Sequence, residues 1–276
     1  MRPIVSRLTQ LVLMVSSAGT AFAQAMPTSQ PSIITIYREF VKVGRSAEHA
    51  RIEAGWPAAF AKANSPTTYL ALTSMTGANE AWFLVPFASH AALEEDLKRN
   101  AADPALSAEL DRLSRADAEA IDDIRTLQLR ARPDLSMGAF PNLAKVRYYE
   151  VTWFRVRVGQ EQAFEAASLA YKGSAERNAP STSYRVYELM AGGIAPTYLI
   201  FSSLESYAEL DRMAADGQKI WTGMTPQEGE TMQKAVGGIV NVETQRFRVD
   251  PTMSYVDQAT RAQDPAFWMP KKVGGQ

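Results

Sequence analysis

Apolar and polar residues alternate over residues 33–43, IITIYREFVKV, and again over residues 147–158, RYYEVTWFRVRV. Period-two alternation rich in β-branched and aromatic side chains predicts strands with two unlike faces. Gly44 and Gly159 end these runs. The period then changes. Residues 46–63 set Ile52, Trp56, Ala59, Phe60 and Ala63 on one helical face, and the later stretch does the same with Phe164, Ala167, Tyr171 and Ala175. Asn64 and Asn178, each followed two residues on by Pro, are fitting helix stops. Strands are expected at 68–75 and 81–87 around Gly77, and at 184–190 and 197–201 around Gly192-Gly193. Ser202-Ser203-Leu204-Glu205 reads as a capping box opening the next helix. A further helix, 104–122 or 226–236, precedes a last strand, 125–130 or 241–248.

The pattern is therefore written twice. Val41-Lys42-Val43-Gly44 matches Val156-Arg157-Val158-Gly159, Asn64 matches Asn178, and Trp82-Phe83-Leu84-Val85 lies opposite Tyr198-Leu199-Ile200-Phe201, at offsets that drift only from 114 to 118. Each copy reads β-α-β-β-α-β with an extra helix before the final strand, the order of the ferredoxin-like unit. Such a sheet has helices on one side and a bare face on the other, and a second copy can cover it. The expected fold class is α+β: two tandem ferredoxin-like β-α-β-β-α-β units whose antiparallel sheets pack into one intramolecular α+β barrel. The divisions expected are a signal segment at 1–23, a linker at 24–32, repeat 1 at 33–136, a linker at 137–145, repeat 2 at 146–254 and a tail at 255–276. Phe267-Trp268-Met269-Pro270 makes that tail too apolar to float in water, so it should dock on a sheet edge, a partner subunit or the barrel mouth.

With "FVKVG" and "RVRVG" leading into amphipathic helices, and "WFLVPFASHAALEEDL" and "YLIFSSLESYAELDR" running from strand to helix, the chain resembles the dimeric α+β barrel superfamily. That group includes antibiotic-biosynthesis-monooxygenase-like and NIPSNAP-like proteins. The resemblance implies the fold much more than an activity, since relatives include oxygenases, haem-handling enzymes, isomerases and ligand domains. Haem-degrading relatives carry a histidine on the helix after the third strand and a Trp on the preceding strand, to which His90 and Trp82 are loosely similar. Here the spacing is short, the Trp comes early in its strand, and no Asn stands in residues 33–43.

Composition narrows the setting. Arg2 and Arg7 precede LTQLVLMVSSAGTAFA, which ends in Ala21-Phe22-Ala23, a pattern expected of a cleaved secretory signal and hence of a periplasmic or secreted protein. With 29 Lys+Arg against 30 Asp+Glu, no global field would gather nucleic acid, and no later segment suits a membrane. There is no cysteine, so disulfides, thiolate metal sites and a cysteine nucleophile are excluded.

Strand parity suggests which residues could meet a ligand. If Val41 and Val43 face the helices, Arg38, Phe40 and Lys42 point between the sheets, as do Trp153, Arg155 and Arg157 from the second copy; Glu39 then falls on the helix side. Arg38, Trp153 and Arg155 could hold an anionic, partly aromatic molecule, or could sit at the rim bonded to carboxylates. Tyr69 and Tyr184, and Trp82 and Tyr198, read as core aromatics or as lining of the same space. His49 shares a stripe with Ile52 and Trp56 and reads as a packing residue; His90 reads as solvated. With two histidines and no catalytic motif, no metal site or cofactor is expected, and the sequence assigns no catalytic residue and leaves open whether the protein is an enzyme. Three functions remain. They are an exported protein binding a small aromatic or anionic ligand between the sheets, a cofactor-independent monooxygenase-like or haem-handling enzyme, and a structural protein with a filled barrel. Exposed sheet edges would also suit a homodimer.

Overall fold

The computed structural model describes residues 25–270, so the signal segment lies outside the described residues. Repeat 1 contains β1 (Ile33–Val41), α1 (Ser46–Glu53), α2 (Gly55–Lys62), β2 (Tyr69–Ser74), β3 (Glu80–Phe87), α3 (His90–Ala102), α4 (Pro104–Asp117) and β4 (Ile121–Ala131). Repeat 2 contains β5 (Tyr148–Val156), α5 (Glu161–Asn178), β6 (Arg185–Ala191), β7 (Thr197–Leu204), α6 (Glu209–Thr222), α7 (Pro226–Val236) and β8 (Ile239–Tyr255); α8 (Gln258–Gln263) and α9 (Pro265–Trp268) form the tail. Gly44 and Gly159 turn the chain out of β1 and β5 at φ of 82° and 85°, left-handed values that suit glycine.

The eight strands close in the order β1-β3-β2-β8-β5-β7-β6-β4. Within each repeat the pairing is antiparallel and ferredoxin-like; the halves are joined by β2 with β8 and by β4 with β6. Both joining strands are longer than the alternation alone suggests, because they must serve a neighbour in each repeat. The joins are partial. The β4–β6 ladder covers Gln128 to Ala131, and β8 meets β2 from Phe247 onward, so residues 121–127 and 239–246 have a strand partner on one side only. Ile124, Val240 and Val242 are exposed along these flanks.

Alternation along each strand separates two apolar layers. Ile34, Ile36, Leu72, Trp82, Leu84, Leu129, Val151, Leu199, Phe201 and Phe247 fill the barrel. Ile33, Tyr69, Ala71 and Phe83 face the helices of repeat 1, while Tyr184, Val186 and Tyr198 face those of repeat 2. Burial on both faces stabilises the sheet at about 25 cal/mol per Å² of apolar surface removed from water.

Three local expectations are corrected. The helix expected over 46–63 is broken at Ala54, since Pro57 has no N–H and its ring would clash with the Glu53 carbonyl in a continuous helix. Ser202-Ser203-Leu204 continue β7 rather than capping a helix; α6 begins at Glu209, whose carboxylate accepts from the N–H groups of Glu205 and Ser206. The capping box present is Thr225 with Glu228, at the start of α7. The alignment of Trp82 with Tyr198 is also shifted by one. Arg38 pairs with Trp82 and Trp153 with Leu199, so Leu199 is the counterpart of Trp82, and Tyr198 turns to the opposite face.

The tail closes one mouth of the barrel. Trp268 is buried with Met26, Leu143 and Val146 and donates from Nε1 to the Ala144 carbonyl at 3.0 Å. Arg147 covers the Phe267 ring at 3.8 Å and bonds Asp264. Asp257 accepts from the Met26 N–H at 2.8 Å and from Thr260, tying both ends of the described chain to this mouth. No helix among the described residues is long and apolar enough to cross a membrane.

Candidate functional site

The space between the sheets is occupied by side chains. At the end away from the tail, Arg38 makes a bidentate pair with Glu80 at 2.5 and 2.7 Å, Trp82 Nε1 donates to Glu80 at 2.7 Å, and Gln245 Nε2 lies 3.4 Å from the same carboxylate. The Arg38 guanidinium also lies 5.4 to 5.5 Å from the Trp82 and Trp153 ring centres. A cation so engaged is not free for an anionic ligand. At the other end, beneath the tail, there is a void of about 60 Å³ lined by Met26, Phe140, Tyr149 and Tyr187 among others. The barrel of this chain is a packed core.

The larger space lies outside the barrel, in repeat 2. The outer faces of β5, β6 and β7 form its floor and α5, α6 and α7 its walls, enclosing a cavity of about 460 Å³. Helix α5 presents Phe164, Ala167, Ser168 and Tyr171 to it, and α6 presents Met213, Gly217, Ile220 and Trp221. Tyr171 makes aromatic contacts with Tyr184 at 6.3 Å and Trp221 at 5.9 Å. The charged groups are Glu150, Arg212 and Asp216, and the hydroxyls of Thr152, Ser168, Ser181, Thr182, Ser183, Ser202 and Ser203 add a neutral polar set. Largely apolar walls with a small polar set are the usual make-up of a small-molecule site, and the volume falls in the range of about 300–1,000 Å³ for such sites.

The electrostatics favour holding over proton transfer. Glu150 accepts from Arg246 at 2.9 Å. Hydrogen bonding from Lys219, with the charge of Arg212 beside it, holds the Asp216 carboxyl below its ordinary range. Burial raises the phenols of Tyr171 and Tyr184, assisted respectively by Asp216 and by Tyr171. No histidine lines the cavity. The lowered Asp216 carboxyl and the raised phenols of Tyr171 and Tyr184 are thus moved away from the range of a general base at neutral pH.

The residues singled out from the sequence are divided among five places. Arg38, Trp82 and Trp153 meet inside the barrel. Arg155, from the same face of β5, reaches the barrel end and is exposed. Tyr184 lines the cavity; Tyr198 lies on that side of the sheet but stacks on Phe164 at 4.5 Å and donates to Glu165. Tyr69 is buried under the helices of repeat 1. His90 is exposed at the start of α3, and Trp82 lies in the barrel at the opposite end of β3. These two are not brought together. Both histidines belong to repeat 1, so an imidazole-ligated haem does not fit the cavity.

No family model matches the chain, and no curated protein matches it. Solved structures do. A candidate monooxygenase from Fusobacterium nucleatum superposes with a TM-score of 0.52 at 8% identity, covering 79% of this chain and 91% of that one. An anthrone oxidase-like protein gives 0.51 at 14%, covering 81% and 93%. A chlorite dismutase variant from Candidatus Nitrospira defluvii gives 0.51 at 9%, covering 81% and 94%. The likeness spans both repeats and is one of fold: this chain has the dimeric α+β barrel architecture, with both halves in one polypeptide.

Proposed function

We propose that the protein is an exported binding protein that takes a small aromatic molecule into the cavity of repeat 2, beneath α5 to α7. One observation carries the reading: between the sheet and helices of repeat 2, aromatic side chains line about 460 Å³, against the void of about 60 Å³ inside the barrel. The aromatic walls would stack on a ring, and the polar set beside Arg212 would orient a hydroxyl, carbonyl or anionic group. Export is supported by the charged, apolar and small-residue pattern of the first two dozen residues.

A second reading, oxidation of the bound ring without a cofactor, is supported by the anthrone oxidase-like and monooxygenase folds. It ranks second because the carboxylates at hand are engaged by cations. A homodimer is the assembly we propose, through the one-sided flanks of β4 and β8, where an added strand would find unpaired backbone groups. Ile124→Lys should then shift the sedimenting species toward monomer.

The binding test uses 2-naphthol and anthraquinone-2-sulfonate with the mature chain, read by quenching of the partly exposed Trp221. Saturable quenching is expected, weakened at least about tenfold when Ala167→Phe fills the cavity, and unchanged in His90→Ala. Equal affinity in wild type and Ala167→Phe would defeat the reading. Consumption of oxygen with turnover of the probe would put the second reading first.

A further inference from the structure

Repeat 1 buries four titratable side chains that the cavity does not use. Glu39 projects from the helix-facing side of β1, His49 and Glu53 lie one turn apart on α1, and Asp117 ends α4. Each contributes an atom to a group lying within 4.8 Å of one another. His49 Nε2 is 2.9 Å from Glu39 Oε2 and 3.9 Å from Asp117 Oδ1. All four residues are at most 7% exposed.

Three carboxylates in such a place need a counter-charge. Among the described residues no Lys or Arg pairs with any of them. Glu53 Oε1 and Asp117 Oδ1 moreover have no hydrogen-bond partner although both are buried. Leaving ionised carboxylates so placed costs several kcal/mol each. Without an ion, burial and the neighbouring Glu39 and Asp117 push the Glu53 carboxyl up to about 9, and burial pushes Asp117 up to about 6. The backbone is shaped to bring the groups together: a Cβ on Gly55 would stand 2.6 Å from Leu113 Cδ2, so glycine there lets α4 approach and deliver Asp117.

We propose that Glu39, His49, Glu53 and Asp117 bind one divalent first-row metal ion, Mn(II), Fe(II) or Zn(II). One imidazole and three carboxylates are a hard-to-borderline set that suits these ions rather than copper(I). Metal–ligand bonds of about 2.0–2.2 Å place donor atoms about 3 to 4.3 Å apart, close to the spread found here. The ion supplies the positive charge that the cluster lacks and ties β1, α1 and α4 together.

Because the donors are buried, loading should be measured on chelator-treated mature protein and on protein refolded from guanidinium with Mn(II), Fe(II) or Zn(II) present. A single retained ion per chain and a raised Tm are expected. Glu53→Gln and Asp117→Asn should each weaken binding on the order of 100-fold, beyond a change one shell further out, while the ion-free variants melt no lower than ion-free wild type. Cobalt(II) bound to wild type should show d–d absorption of a nitrogen–oxygen site, a readout that stands even if neither variant folds. No retained ion and no cobalt bands would overturn the proposal, as would undiminished affinity in Glu53→Gln. A wild-type Tm indifferent to metal, with Glu53→Gln lowering ion-free stability, would show instead a proton-sharing structural cluster.

Discussion

The two repeats share an order of elements but differ under their helices. In repeat 1 the helix breaks before Pro57, and α1, α2 and α4 pack through Ile52, Ala59, Leu106 and Leu113. In repeat 2, α5 runs unbroken for 18 residues and stands with α6 and α7 over a cavity. One underside holds buried charge, the other holds space. A duplicated backbone thus preserves strand pairing, which depends on main-chain hydrogen bonds, while the helix–sheet layer is free to specialise because only side-chain volume and polarity decide it.

The largest effect should come from the layer the repeats share. Trp82→Ala removes a fully buried indole and its hydrogen bond to Glu80, and should destabilise by about 3–5 kcal/mol in urea unfolding. A loss below 1 kcal/mol would show that the barrel core is not common to both halves. Next, Ala59→Phe in the packed layer of repeat 1 should cost about 1–3 kcal/mol, whereas Ala167→Phe facing the cavity should cost less than about 1 kcal/mol. Equal costs would erase the contrast.

The charge difference is read by pH. In ion-free protein the Glu53 carboxyl, at about 9 folded against about 4.5 unfolded, is protonated in the fold while the unfolded chain has lost its proton. Its contribution is therefore intact below about pH 4.5 and is lost as pH rises toward 9, by up to about 1.4 kcal/mol per pH unit. Glu53→Gln should flatten that slope in thermal unfolding; an unchanged slope would remove Glu53 as its source. The smallest effect compares equivalent caps. Asp103 accepts from the N–H groups of Ala105 and Leu106 to start α4, and Thr225 starts α7. Alanine at either should cost about 1 kcal/mol, so a clear inequality would show that one helix matters more to its repeat.

The strand pattern was legible because alternation and the glycines after β1 and β5 report directly on backbone geometry. It also placed Arg38 and Trp153 together correctly on one face. What it lacked was register between strands: a one-residue slip matched Trp82 to Tyr198, which point to opposite sides of the sheet. The cavity was hidden for a different reason. Its walls use the same apolar residue types as a packed layer, and only the stand-off of α6 and α7 distinguishes them. The buried cluster did leave a mark, since Glu39 on the helix-facing side of β1 is a charge where an apolar residue belongs. Its partners come from two other elements, and no linear spacing joins them.

The role of β8 bears on how the molecule reaches its final form. Its first half zips onto β5 and its second half onto β2, so the ring stays open until nearly the last residue of the second unit is in place. A chain emerging N-terminus first must keep two sticky flanks apart throughout that wait, and folding governed by such distant pairings is slow. Truncations short of residue 255 should accordingly accumulate as aggregates rather than as a stable half-molecule.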